Sequence, residues 1–313
     1  MHLDYIKGHM GGNLIILLDG RQLPENEQRQ LEIALEILSP LRLHGHQAGI
    51  LFPSSNPNSL QVKIVDITNR GFIPACGGLT QVTGKVLATT DWAERFSIKK
   101  TWNKFYVILE TASGKTRLDI TRKGENTTTY TNMSAFAELL RSIGIYAIQL
   151  GEVQAFRSGY YLVADAEKIR KAFPKADFEQ MDQYSVDVLA NLQKEYHKAT
   201  GTTNLHFCLY DTKTDKGGHL RAVYPHSALT GYIEPACGTG SIALAMALLM
   251  TEEGQTLGLS NGKTIKVTLE TGGDPVLGGP DETTVEIIIE GNKLKAIFSH
   301  SFVEITSTGI VFV

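Results

Sequence analysis

The chain has 313 residues with 42% hydrophobic and 20% charged side chains, enough length for two domains of ordinary size and enough apolar content to exclude a disordered polymer. Its 30 basic and 33 acidic residues are interspersed and give a formal charge of -3, so no basic face is expected and nucleic acid is excluded as a partner. The three cysteines are odd in number and lack Cys-x-x-Cys spacing, which argues against a disulfide framework and a structural metal site; the absence of a cationic-then-apolar N-terminus and of any 18-residue apolar run leads to the expectation of a cytoplasmic protein with no membrane contact.

Residues 13–19 (NLIILLD) read as a buried strand, and residues 25–38 carry apolar positions at Leu31, Ala34, Leu35 and Leu38, the spacing of a helix. Strands are expected at 48–52 and 62–67, a break at 71–74, and a helix from 77 to about 93. Segments 105–110 and 116–121 should form a hairpin over Ser113 and Gly114. The polar stretch 122–132 has no apolar periodicity and reads as a linker near the midpoint. Beyond it come a short helix (135–143), a strand (160–164), a long amphipathic helix (178–197) and strands at 205–210 and 220–224. Residues 242–249 are apolar on nearly every face, so their helix should be enclosed, and the tail (264–269, 284–290, 293–298, 302–305) is strand-like.

Within this order the tetrapeptide Pro-Ala-Cys-Gly occurs twice, at residues 74–77 and 235–238. The copies agree further on: Glu110-Thr111 follows Cys76 by 34 residues and Glu270-Thr271 follows Cys237 by 33. Matched spacing of this kind indicates a duplicated unit. Each cysteine precedes a helix, where unpaired N–H groups and the positive end of the helix dipole should lower its pKa from about 8.5 and favour thiolate. The glycines beside them, Gly77, Gly78 and Gly238, together with Thr239 and Gly240, leave those N–H groups open to an anion such as a carboxylate. Two such thiols facing one Cα could invert it, one removing the proton and the other delivering one, without a cofactor.

These residues resemble the diaminopimelate epimerase-like superfamily of cofactor-independent racemases and isomerases. Cys237-Gly238-Thr239-Gly240 is similar to its second-cysteine motif, and Lys7 to Asn13 looks like its N-terminal substrate loop. Gln47, Asn69, Asn204 and the Glu-Thr-x-x-Gly hairpins are further matches, so the resemblance spans nearly the whole chain. It implies an α+β fold of two pseudo-symmetric domains, each a mostly antiparallel sheet rolled around a central helix, with the active site in the cleft between them. The expected domains are 1–125, carrying Cys76 and rejoined by 300–313, and 133–299, carrying Cys237. The implied catalytic residues are Cys76 and Cys237; the implied substrate-binding residues are Asn13, Gln47, Asn69, Gly77, Gly78, Asn204, Glu234, Gly238 and Thr239, with no cofactor and no metal.

The first motif reads Cys76-Gly77-Gly78-Leu79 where the family usually has Cys-Gly-Asn-Gly, and Gly159-Tyr160-Tyr161 replaces the usual Gly-Asn-Pro-His, which points away from diaminopimelate as substrate. The approach from Tyr224-Pro225-His226 through Tyr232-Ile233-Glu234 looks more like the histidine racemases of opine-metallophore synthesis, with Glu234 placed to help deprotonate a thiol or grip an amino group. The expected partner is a small amino acid or carboxylate; a homodimer is compatible with the sequence. Three rivals are carried: a double-bond isomerase of a small polycarboxylate, an S-adenosylmethionine-dependent methyltransferase suggested by residues 234–240, and a binding module that kept the cleft without catalysis. Cys208, alone in a strand, reads as a core residue, and the His44-x-His46 pair as a turn or pocket-edge feature rather than a metal site.

Overall fold

The computed structural model describes residues 1–202, 205–225, 233–272 and 279–313. The chain divides into two compact units, Met1–Ala135 with Ser299–Val313, and Phe136–Phe298. In the first, β1 (His2–Met10) and β2 (Asn13–Asp19) form an antiparallel hairpin in which Met10 pairs with Asn13. The expected substrate loop at 7–13 is therefore strand, turn and strand. Residues 14–18 of this run (LIILL) are apolar without a break because β2 is covered on both sides. Ile15 and Leu17 join one core cluster, while Ile16 and Leu18 join another.

The second of those clusters belongs to α1 (Glu27–Leu38), whose N-cap Asn26 accepts the N–H of Arg29 and whose Ile33, Ala34, Ile37 and Leu38 are buried. β3 (Gln47–Pro53) then lies parallel to β2, β4 (Ser59–Asp66) antiparallel to β3, and β5 (Gly71–Ile73) pairs with the end of β4. The first cluster belongs to α2 (Gly77–Thr89), which touches β1, β2 and β3 and, further along, β7 (Gly114–Lys123) and β8 (Asn126–Asn132). The single helix expected over 77–93 is two, α2 and α3 (Trp92–Arg95). Thr90 divides them: it is extended, its hydroxyl bonds Val86 O, and its oxygen accepts the N–H of Trp92. β6 (Lys104–Thr111) pairs with β4 in parallel and with β7 as the expected hairpin.

The expected linker at 122–132 is corrected. It is the end of β7 and all of β8, which pair in register from Leu118–Thr131 to Lys123–Asn126. Its threonines alternate, with Thr129 and Thr131 buried, and their partners on α2 are polar: Thr131 Oγ1 lies 2.8 Å from Thr80 Oγ1 and accepts from Gln81 Nε2 at 2.9 Å. A strand that buries hydroxyls against hydroxyls carries no signal in hydropathy. Gly84 marks the closest approach of α2 to β8, since a Cβ there would sit 2.1 Å from Thr129 Oγ1.

The second unit takes in α4 (Ser134–Ile143) and repeats the plan. β9 (Ile145–Leu150), β10 (Val153–Ser158) and β11 (Tyr161–Asp165) are successive antiparallel neighbours, and the hairpin of β9 and β10 went unread in the sequence because its exposed face alternates weakly. Then come α5 (Ala166–Ala172), α6 (Gln183–Thr200), β12 (His206–Asp211), β13 (Leu220–Pro225), β14 (Ile233–Glu234), α7 (Gly238–Met250), α8 (Glu252–Thr256), β15 (Thr264–Thr271), β16 (Asp281–Glu290) and β17 (Lys293–His300). α6 starts later than its apolar pattern because Asp182 caps it, accepting the N–H of Ser185. The pairings β1 to β7 recur as β10 to β16, including parallel β11–β12 and β13–β15. β18 (Val303–Phe312) closes the first unit by pairing with β1.

α7 is enclosed by β9 to β12, β15 and β16, with Ile242 to Leu248 fully buried. Each side chain of that size contributes about 1.5–3 kcal/mol relative to exposure. Cys208, on the neighbouring β12, is fully buried, and burial holds its thiol well above the usual range.

Candidate functional site

Each unit brings a cysteine to the same local position. Cys76 follows β5 and is the N-cap of α2, with an extended backbone (φ -150°, ψ 116°) and Sγ accepting the N–H of Leu79 at 3.3 Å. Thr80 N–H is taken by Cys76 O at 3.4 Å, whereas the N–H groups of Gly77 and Gly78 make no hydrogen bond among the described residues. These two donors are what a helix start leaves over for an anion. Asn13 is fully buried beside them: its amide lies 3.1 Å from His46 Nδ1, and a Cβ on Gly78 would stand 3.3 Å from Asn13 Nδ2. Gln47 Oε1 is 3.9 Å from Cys76 Sγ and accepts its proton. The amide is held in place by Gln47 Nε2 donating to Asp66 Oδ2 at 2.8 Å, a bond between residues directly opposed on β3 and β4.

Asn69 is placed differently from the expectation. Its backbone N–H donates to Asp66 Oδ1 at 2.7 Å and the residue is exposed, so it supports Asp66 from the turn after β4. Asp66 is the residue that sequence reading missed at this position. A carboxylate closing a strand before Thr68-Asn69 is a recognisable turn signal, but only the register reveals that it faces Gln47.

Cys237 follows β14 and is the N-cap of α7 (φ -126°, ψ 111°), with Sγ accepting the N–H of Gly240 at 3.3 Å and its carbonyl accepting Ser241 N–H at 2.9 Å. Gly238 and Thr239 N–H correspond to the open donors of α2. Gly240 must be glycine here, because a Cβ would fall 2.7 Å from the Tyr224 ring. Tyr224 OH and Ser241 Oγ are 2.7 Å apart, which braces the first turn. Thr239 Oγ1 lies 3.3 Å from Cys237 Sγ and accepts the hydroxyl of Tyr161 at 2.8 Å.

The thiolate expectation fails at Cys237. Burial raises its pKa well above the usual range, the Glu234 carboxylate adds to this by its charge and its hydrogen bond to the thiol, and the opposing pull of Thr239 and Gly240 N–H is smaller. Tyr161 and Tyr224 are also held protonated, by burial above all. Asn204, His226 and Tyr232 lie outside the described residues.

The repeated Glu-Thr pair has a structural role in each unit. Glu270 is fully buried and accepts the N–H groups of Asp215, Lys216 and Gly218 at 2.7–2.9 Å, pinning the loop between β12 and β13. Burial alone would raise its pKa, but those three donors hold it below the usual carboxylate range. Glu110 pins the equivalent loop between β3 and β4 through Ser54 Oγ and Asn56 Nδ2.

No protein-family model matches the sequence, and no curated protein matches it significantly. Solved structures do. A Bacillus anthracis phenazine biosynthesis protein of the PhzF family superposes with TM-score 0.65 at 14% identity over 100% of both chains. A hydroxyproline epimerase from Agrobacterium vitis, with bound trans-4-hydroxy-L-proline, gives 0.64 at 12% identity over 99% of this chain and 92% of the other. A methylitaconate-delta-isomerase gives 0.64 at 13% identity over 99% and 95%. The chain has the diaminopimelate epimerase-like fold. A diaminopimelate epimerase-like unit sets residues 234–240 between the two-residue β14 and a helix followed by antiparallel β15 and β16. The methyltransferase reading needs a continuous run of parallel β-α units around that loop; here β13 and β15 are parallel to each other, but their remaining partners β12, β14 and β16 are all antiparallel. No helix among the described residues is long and apolar enough to cross a membrane.

Proposed function

We propose that the protein is a cofactor-independent amino-acid racemase or epimerase in which Cys76 and Cys237 act as alternating general base and acid at Cα. One sulfur, as thiolate, takes the Cα proton; the other, as thiol, gives its proton to the opposite face; the sulfurs exchange protonation states and the configuration inverts. The substrate carboxylate takes the open N–H donors at Gly77, Gly78, Gly238 and Thr239, where positive helix ends counter the charge that develops as Cα loses its proton. Asn13 and Gln47 border Cys76, and Glu234 borders Cys237. The observation that carries this reading is the matched setting of the two thiols, each an N-cap receiving the N–H three residues on, with two further donors left open.

The mechanism needs both sulfurs at one carbon, which a solvent-exchange experiment tests. Amino acids incubated with the enzyme in heavy water should lose the α-proton signal and change optical rotation, and Cys76→Ser or Cys237→Ser should abolish inversion. Full inversion by either variant contradicts the proposal. The likeness to methylitaconate-delta-isomerase supports running small unsaturated polycarboxylates alongside; proton migration in those substrates without exchange in any amino acid selects the double-bond isomerase instead. Binding without exchange in either set leaves a binding module. Cytoplasmic location, homodimerisation and the absence of nucleic-acid partners join this proposal as expectations.

A further inference from the structure

Three hydroxyl and sulfur atoms in the second unit form a chain: Tyr161 Oη, Thr239 Oγ1 and Cys237 Sγ, separated by 2.8 and 3.3 Å. The direction of the chain follows from chemistry. Tyr161 is buried and stays protonated, and its hydroxyl donates to the threonine oxygen. Thr239 has one proton of its own, and with Tyr161 donating to its oxygen and the thiol proton taken by Glu234, that proton is the one left between threonine and sulfur. The Glu234 carboxylate accepts from the thiol. Among the described residues, the titratable groups that interact with this sulfur are Glu234 on β14, Tyr161 on β11 and Tyr224 on β13, and both tyrosines also meet Cys208 on β12.

We propose that Tyr161 is a positioning residue for Cys237: by donating to Thr239 it fixes the threonine proton on the sulfur, so that the sulfur keeps a side-chain donor whenever it gives up its own proton. As a thiol, Cys237 donates to Glu234. As a thiolate, it accepts from Thr239 Oγ1–H and Gly240 N–H. Both protonation states are thereby satisfied without moving a backbone atom, which a group that must be acid in one half-reaction and base in the other requires. The inference deepens the two-cysteine reading and rests on it for its role in turnover; the hydrogen-bond relay itself is testable without turnover.

The test is a titration of the full chain labelled with [β-13C]cysteine, which gives three resonances, one per thiol, assigned by single replacements. Glu234→Gln should lower the Cys237 midpoint by removing the adjacent charge. In that background Tyr161→Phe should raise the midpoint by about one pH unit, a tenfold loss of thiolate at fixed pH, the scale of one charge-assisted hydrogen bond. Thr239→Val should raise it similarly and Thr239→Ser should restore it. Adding Tyr161→Phe to Thr239→Val should then change nothing further, and the Cys76 midpoint should stay fixed throughout. A Cys237 midpoint unmoved by Tyr161→Phe, or effects of the two replacements that add, overturns the relay. Should Tyr161→Phe fail to fold, Thr239→Val against Thr239→Ser decides: equal midpoints overturn the relay. A chain that shows the shifts but exchanges no α-proton keeps the relay and loses the racemase.

Discussion

The two units share strand order, helix placement and a cysteine at the same cap, yet they differ in what surrounds the helix and the sulfur. α2 is buried with Thr80, Gln81 and Thr83 along it, and its neighbours are the hydroxyls of β8. α7 is buried with Ile242, Leu244, Met246 and Leu248, and its first-turn polarity is confined to Thr239 and Ser241. The sulfurs differ in charge environment as well: Cys76 donates to a neutral amide fixed by Asp66, and Cys237 donates to a carboxylate. Duplicated backbone therefore sets where each thiol sits, and the unduplicated side chains set what each one meets.

The largest effect should come from the sulfurs themselves. Cys76→Ser and Cys237→Ser are each expected to lower α-proton exchange by about 10²–10⁴-fold, the usual contribution of a positioned acid or base, read by proton NMR in heavy water. Loss in one variant alone would break the comparison by making one thiol structural.

The next concerns the polar interior of the first unit. His300 is buried, its Nδ1 accepts the N–H of Phe302 at 3.0 Å, and its Nε2 makes no hydrogen bond among the described residues. Burial, more than the proximity of His9, lowers its pKa to about 4. Unfolded histidine titrates near 6.5, so between those values the unfolded chain takes up a proton that the folded chain refuses. Stability should be unaffected by this group above pH 6.5 and should fall by about 3 kcal/mol as the pH drops toward 4, reading the full gap as a free energy. Urea melts at pH 7 and pH 4.5 check it, and His300→Gln should flatten the slope across that window.

Packing differences give smaller effects. Gly84→Ala should destabilise by about 1–3 kcal/mol, because the added carbon meets Thr129. Pairing it with Thr129→Ala should recover part of the loss. Glu270→Ala should cost about 1–3 kcal/mol by removing the buried acceptor that three backbone N–H groups of the β12–β13 loop share, seen in thermal melts. The more exposed clamp at Glu110 should cost less when removed, and equal losses would erase that difference between the units.

Much of this was legible before the fold was known. The repeated Pro-Ala-Cys-Gly located both caps, and the unbroken apolar run at 242–249 announced an enclosed helix, because burial on all faces leaves no polar stripe. What stayed hidden was polar burial. β8 read as a linker because its buried face is threonine; Asp66 escaped notice because its partner is 19 residues away across a strand pair; and Tyr161 read only as a departure from a motif. Hydrogen bonds between side chains from distant positions leave no period in a sequence. The helix dipole argument for thiolate met the same limit at Cys237, where Glu234 and burial oppose the dipole.

The pairing of β18 with β1, from His2 opposite Phe312 to Met10 opposite Val303, has a temporal consequence. The first unit is discontinuous in the chain and the second is not. As the polypeptide leaves the ribosome, residues 136–298 can complete their contacts while β1 still waits with one edge unpaired. Closing that edge joins the most distant positions in the chain, a slow step on loop-closure grounds, and until it happens β1 presents free N–H and C=O groups to any neighbouring nascent strand. The second half of the molecule, though made later, is the half that can finish first.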